Sequence, residues 1–236
     1  ATFTVDQGRL VYGLGALKNV GSDAMRLIVE ARGKKPFVTL FDFARRVDLK
    51  RVGKRPLEML ARAGAFDELD VNRRRVFDGL EALVGYSAAV HESRASSQVS
   101  LFGEGGDDLP EPRLLPVADW MPAERLAEEH KAIGFYLSGH PLDDYMAPLK
   151  RQGIMTLAEV AAQAERGAHL AKMAGSVSGR QERKSARGNR FAFVQLSDPT
   201  GLYEATVFSD TLEASRDFLE IGANVVLTVE ATMESE

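Results

Sequence analysis

The chain has 236 residues, 44% hydrophobic and 27% charged, enough for one or two domains that each bury a core. It contains no cysteine, which excludes disulfides and thiolate metal sites. Its four histidines (His91, His130, His140, His169) are scattered without metal-ligand spacing, so no metal site is assigned. No apolar run is long enough for a membrane helix and no signal peptide is read, so a cytoplasmic location is expected.

The net charge of -4 conceals an asymmetry. Residues 1–80 carry +6, residues 81–130 carry -7, residues 131–168 are neutral and residues 169–236 carry -3. A basic first part beside an acidic connector points to a polyanionic partner for the first part alone; a solvated helical surface is the other reading of the same charges.

In chain order, a short β-like opening (Thr2 to Val11) leads to Leu14, Leu17 and Val20, then Ala24, Leu27 and Ile28, with helical spacing on both sides of a tight break. Asn19 and Gly21 tolerate the positive φ of a sharp turn, Ser22 or Asp23 is placed to cap the second helix, and Gly33 to end it. This pattern predicts a helix-hairpin-helix, in which the turn and the following helix N-terminus present N–H groups to a DNA phosphate. A plain helical packing unit remains the alternative. Lys18, Asn19, Gly21 and Ser22 are its candidate contacts, with Arg26 and Arg32 nearby.

A second hairpin follows. Thr39 to Asp42 reads as a capped helix start running to about Arg46, and Lys50, Arg51, Gly53, Lys54 and Arg55 form a basic turn with Pro56 placed to open a helix to Ala63. Paired basic hairpins bind a duplex through phosphates, without reading bases. Asn72 is expected to cap a longer helix carrying Val76, Leu80, Leu83 and Val84 on one face. Arg73, Arg74 and Arg75 crowd its first turn against the helix dipole, which requires a phosphate or an acidic neighbour.

Between the modules lies a polar, glycine-rich stretch holding Gln98, Val99, Ser100, Leu101 and Phe102. A glutamine ahead of paired apolar anchors has the form of a short peptide that docks in a partner's groove; a loop tucked onto its own domain is the alternative. A Pro- and acid-rich linker then gives way to a helix beginning near Trp120 and Pro122. His140 has no Ser or Cys nucleophile with an evident partner and reads as part of a His-Pro turn, and Thr156 to Glu159 is a capping box.

From His169 the periodicity becomes β-type: Lys172 to Ser178, Phe191 to Leu196, Leu202 to Phe208 and Asn224 to Glu230, with a helical stretch before the last. This is the order of an OB-fold lacking its fifth strand. Arg180, Arg183, Lys184, Arg187 and Arg190 are assigned to the first connecting loop. Phe191, Phe193 and Tyr203 are candidate base-stacking platforms for single-stranded DNA, or alternatively core residues. The expected fold class is α+β and multidomain: a tandem helix-hairpin-helix module at 1–92, a linker at 93–118, a helical connector at 119–168 and a truncated OB-fold at 169–236. The absence of an initial Met and the unfinished strand make the chain read as a piece of a larger protein.

Three runs carry a family resemblance: Tyr12 to Gly21, Ala63 to Asp67, and Lys131 to Leu142. With Phe191 to Gly201, they resemble the bacterial DNA polymerase III alpha-subunit family over essentially the whole chain. The resemblance implies a parent DNA-directed DNA polymerase using magnesium, with catalytic carboxylates outside this region. No catalytic residue, metal ligand or cofactor is therefore assigned here. It also implies that Gln98–Phe102 is a beta sliding-clamp peptide, departing from the commoner pattern at Val99. Clamp-loader and other replisome contacts would lie in a C-terminal domain beyond this chain. The alternatives are a non-catalytic scaffold of another repair or replication protein, such as an accessory polymerase of the same family or a DNA ligase. NAD-dependent ligases place their OB-fold and hairpins in the opposite order and carry zinc cysteines absent here.

Overall fold

Gln7 and Gly8 take φ of 48° and 76°, the positive pair of a type I′ turn, and join β1 (Thr4–Asp6) to β2 (Arg9–Val11) as an antiparallel hairpin. The computed structural model describes residues 3–95, 109–165, 167 and 169–232. It divides into two units, Ala1–Leu137 and Ser138–Glu236.

In the first unit, a 3-10 turn at Leu14–Ala16 precedes α1 (Gly21–Arg32). Asn19 (φ 61°) and Gly21 (φ 70°) make the predicted turn, and Gly33 (φ 51°) ends the helix. The predicted cap differs. Val20 is the N-cap residue and no side chain caps α1, so Ser22 and Asp23 lie inside the first turn. The reason is local: the Val20 N–H already bonds the Leu17 carbonyl (3.2 Å), and burial of Val20 fixes where the helix starts.

Next come α2 (Leu40–Arg46), α3 (Leu49–Val52) and α4 (Lys54–Arg62). Thr39 accepts the Asp42 N–H (2.9 Å) and Asp42 accepts the Val38 N–H (3.1 Å), fixing the start of α2 as predicted. The basic turn is tighter than expected. Lys50 and Arg51 belong to α3 and Lys54 and Arg55 to α4, leaving only Gly53 (φ 92°) between them. Pro56 is the third residue of α4, not its first, where its missing N–H still costs no helical bond. The long helix α5 (Arg73–Ala95) is capped by Asn72, which accepts the Arg75 N–H (2.9 Å).

Val76, Leu80, Leu83 and Val90 form the buried face of α5, packed with Leu57, Leu60, Phe43 and Leu40. Ser87 interrupts that apolar stripe and is fully buried, because its hydroxyl donates to the Val47 carbonyl (2.8 Å) and accepts the Leu49 N–H (3.1 Å). It ties α5 to the junction between α2 and α3. Helix α6 (Pro122–Ile133) ends at Gly134 (φ 102°) and buries Ala132 and Ile133 in the same core. The Ala132 carbonyl accepts the Lys18 N–H (2.9 Å), so this stretch, read from sequence as connector, packs into the first unit.

The arginines at the head of α5 meet acidic neighbours. Arg73, 7% exposed, donates to Asp67 through Nε (2.9 Å) and Nη2 (2.8 Å), and through Nη1 to Glu129 (3.3 Å). Glu129, 1% exposed, also accepts the Leu137 N–H (2.9 Å). Burial disfavours charge on Arg73, but hydrogen bonds and charge from Asp67 and Glu129 prevail and raise its pKa above the ordinary value. Arg75 pairs with Asp70 (2.7 Å) and Arg125 with Asp67 (3.1 Å) and Asp119 (2.7 Å).

The second unit opens with α7 (Met146–Arg151) and α8 (Leu157–Ala164), the latter begun by the predicted Thr156–Glu159 capping box. Four strands follow: β3 (His169–Lys184), β4 (Arg190–Asp198), β5 (Gly201–Val207) and β6 (Asn224–Ala231), with α9 (Ser209–Ser215) before β6. They form an antiparallel sheet in the order β5-β4-β3-β6. It curls into an OB-like half-barrel over Val177, Val194, Leu196, Leu212 and Leu219, with a register shift between Val177 and Gly179 that bends β3. Asp198 builds the turn between β4 and β5: its Oδ1 accepts the Thr200 N–H (2.7 Å) and the Gly201 N–H (3.1 Å), and its Oδ2 accepts the Leu157 N–H (2.5 Å) at the head of α8.

The Arg73–Glu129 pair yields a stability prediction. Arg73→Met leaves the buried Glu129 without its guanidinium and should cost about 3 kcal/mol, while Glu129→Leu, which leaves Arg73 paired with Asp67, should cost less. The double variant should recover much of that loss. Urea unfolding of the three variants measures it, and equal losses in single and double variants would remove the pair from this role.

Candidate nucleic-acid interface

Two turns in the first unit share one local chemistry. Each puts a positive-φ glycine at a helix start, Gly21 as the first residue of α1 and Gly53 just before α4, and neither helix has a side-chain cap. The backbone N–H groups of Gly21, Ser22, Lys54 and Arg55 therefore have no side-chain partner among the described residues. Such orphan donors, at the positive end of a helix dipole, suit an anionic oxygen.

The side chains sort by partner. Arg45, Arg46, Arg62, Arg73, Arg74, Arg75 and Arg125 are each bound to a carboxylate. Lys50, Arg51, Lys54 and Arg55 are exposed, and their side chains make no hydrogen bond or ion pair among the described residues. The four surround Gly53 and the first turn of α4. Lys18 and Asn19 are exposed at the other turn, where Lys18 leans across Gly134; a Cβ on that glycine would sit 3.2 Å from Lys18 Cε. Arg26 pairs with Asp23 (3.4 Å) in an exposed bridge.

In the second unit the sequence-based loop is corrected. The pairing of β3 with β4 continues to Lys184↔Arg190, so Arg180, Arg183 and Lys184 lie on β3, Arg190 opens β4, and only Ser185–Asn189 connects them. The polar run was read as loop because it lacks apolar alternation, whereas a ribbon solvated on both faces needs none. Arg180 is committed within the unit: it donates to the carbonyl of Arg216 (2.8 Å) and lies beside Glu182 (3.8 Å). Phe191 and Phe193 lie on the face opposite Ala192 and Val194, which are fully buried. Their rings pack edge to face at 5.4 Å, and Arg183 sits 5.4 Å from the Phe193 centroid. Lys184, Arg187 and Arg190 are exposed. Tyr203 is not a free platform, because it packs on the half-barrel core and donates to the Ala174 carbonyl (3.2 Å). Burial and Asp198 push its phenol upward.

His140 is buried beside a serine, and its geometry excludes base catalysis on that serine. Its Nδ1 accepts the Leu142 N–H (3.1 Å), so the neutral ring carries its proton on Nε2, which donates to Ser197 Oγ (2.9 Å). Asp143 accepts the His140 backbone N–H (2.6 Å). His140 thus holds the turn, as its His-Pro context implied. Among the described residues, no group of three or more His, Asp or Glu side chains is arranged to hold a metal ion, and no helix is long and apolar enough to cross a membrane. Gln98–Phe102 lies outside the described residues.

A helix-hairpin-helix motif model matches residues 1–76 of the first unit, and this chain carries an OB-like half-barrel in its second. A DNA polymerase III subunit alpha of Caulobacter vibrioides is 44% identical over 232 residues, covering 98% of this chain and 20% of that protein. Those of Pseudomonas aeruginosa and Vibrio cholerae are each 35% identical, covering 98% and 91% of this chain and 21% and 19% of those proteins. The chain is homologous along nearly its whole length to one segment of the DNA polymerase III alpha subunits, and it spans about a fifth of the length of these curated relatives.

Burial lowers the His140 pKa below its ordinary value, against the opposing charges of Asp143 and Asp198. With the folded pKa depressed, the unfolded state binds the proton more readily. The contribution of His140 to stability is therefore fully present above about pH 6.5 and lost as the pH falls through the folded value. His140→Gln should be less stable at pH 7.5 and should lose part of the decline toward pH 5. An NMR titration of His140 with a midpoint above the ordinary histidine value would contradict this.

Proposed function

We propose that this chain is the DNA-handling and clamp-tethering part of a bacterial replicative DNA polymerase. The observation that carries the reading is the segregation of cations: the arginines at the head of α5 are paired, while Lys50, Arg51, Lys54 and Arg55 stand unpaired around an uncapped helix start. Lys18, Asn19, Gly21 and Ser22 supply the same kind of site at the other turn. Each turn takes a phosphate through backbone N–H groups and adjacent positive charge, so the product duplex is held by its backbone whatever its sequence.

Single-stranded DNA is the second substrate in this proposal. Phe191 and Phe193 stack bases, while Arg183, Lys184, Arg187 and Arg190 attract the backbone. Arg180 contributes by anchoring the ribbon to Arg216 rather than by touching DNA. Gln98 to Phe102 is the tether to the beta sliding clamp, with Leu101 and Phe102 as apolar anchors and Gln98 as a hydrogen-bonding residue. The parent enzyme's template-directed synthesis, its magnesium and its clamp-loader and other replisome contacts are ascribed to parts of the relatives that this chain does not match. No residues described here fit the magnesium, so no chemical step is placed in this chain.

Two measurements test this reading. Replacing Lys50, Arg51, Lys54 and Arg55 with Ala should weaken binding to all duplexes alike. It should also reduce the slope of log K against log salt by about 0.9 for each phosphate that the variant no longer neutralises. An unchanged slope would return the second hairpin to a packing role. For the tether, Leu101→Ala with Phe102→Ala should abolish binding to a purified clamp while duplex affinity stays constant; retained clamp binding would overturn that assignment.

A further inference from the structure

A cavity of about 550 Å³ lies in the first unit between the end of α1 and the segment after α4, apart from both hairpin turns in the duplex-binding proposal. Its size falls within the range of small-molecule sites. Phe37, Phe43 and Phe66 line it and form an edge-to-face chain, with centroids 5.1 and 5.2 Å apart. The charged lining is Arg32, Lys34 and Glu68, two cations against one acid. The side chains of Arg32 and Lys34 are exposed and make no hydrogen bond or ion pair among the described residues.

The wall that carries these two cations is held in place from behind. Arg46 donates to the carbonyls of Ala31 (3.1 Å), Arg32 (2.7 Å), Lys35 (2.7 Å) and Pro36 (3.2 Å), and pairs with Asp42 (3.2 Å). Its guanidinium also lies 4.5 Å from the Phe37 ring centroid. These bonds consume carbonyls at the end of α1 that would otherwise face water, and they fix the loop over the cavity. A site already ordered in the free protein loses little entropy when a ligand enters.

We infer that this cavity binds a small amphiphilic anion, with an aromatic or aliphatic body against the three phenylalanines and an acidic head at Arg32 and Lys34. Apolar lining selects the body by burial, and the two unpaired cations select the head by charge. The surface does not depend on the hairpin turns, so its ligand is independent of duplex binding.

The test uses the whole chain, with anilinonaphthalenesulfonate as fluorescent probe and decanoate as competitor. Expected is one saturable site from which decanoate displaces the probe, with intermolecular NOEs from decanoate to the Phe37 and Phe66 rings. Arg32→Glu with Lys34→Glu should weaken the probe at least about tenfold. Because both residues are exposed, the melting temperature should hold, and duplex affinity should fall far less than in the Lys50, Arg51, Lys54 and Arg55 variant. Non-saturable fluorescence, NOEs confined to other residues, or probe affinity unchanged by the charge reversal would each overturn the proposal.

Discussion

The buried ion pair of Arg73 with Glu129 is the interaction on which the first unit depends. Two charges removed from water are tolerated only when each has further partners, and here each does: Asp67 shares the Arg73 guanidinium, while Glu129 takes the Leu137 N–H with its second oxygen. The pair reaches across four pieces of chain, because Arg73 also donates to the Arg62 carbonyl at the end of α4 (3.3 Å). Gly64 is where this arrangement becomes exacting. It takes φ of 78°, and a Cβ there would overlap the Arg73 guanidinium, so both its backbone and the absence of a side chain are required.

That network also decides which cations are left for other work. Arginine appears throughout residues 1–80, and sequence alone left open whether Arg73, Arg74 and Arg75 meet a phosphate or an acidic neighbour. In the fold, the arginines at the head of α5 neutralise acids from the preceding turn and from α6, which relieves their conflict with the helix dipole. Of the positive charge left unpaired, Lys50, Arg51, Lys54 and Arg55 cluster at Gly53, where two short helices meet. Pairing at the head of α5 thus separates structural arginines from exposed ones.

The half-barrel follows from β3. Its N-terminal half pairs with β6, its C-terminal half with β4, and the shift between Val177 and Gly179 lets one strand serve both. Along the polar end of β3, from Arg180 to Lys184, β4 turns Ala192 and Val194 into the core and Phe191 and Phe193 to the other side. The strand alternation, not a loop, is what puts two aromatics and Arg183 on a common face.

Much of this architecture was written in local sequence. Asn19, Gly21, Gly33, Thr39, Asn72, Gly134, the Thr156–Glu159 box and the Asp198 turn all do what their residue types dictate, because caps and positive-φ turns are settled by a few neighbouring atoms. The α5 face and the four strands were legible for the same reason, through periodicity. Long-range partners were not. The crowding of Arg73, Arg74 and Arg75 against the helix dipole called for a partner, but nothing local named Glu129, 56 positions away. Nor does any signal place α6 in the first core, or show that Ser87 belongs inside it. The polar ribbon from Arg180 to Arg190 was invisible as strand because both its faces are solvated, and Arg46 gave no sign that it would close the end of α1. Sequence determined where the chain turns and which faces are apolar; tertiary structure alone decided which charges meet, since pairing energy depends on distance and burial that only the packed fold supplies.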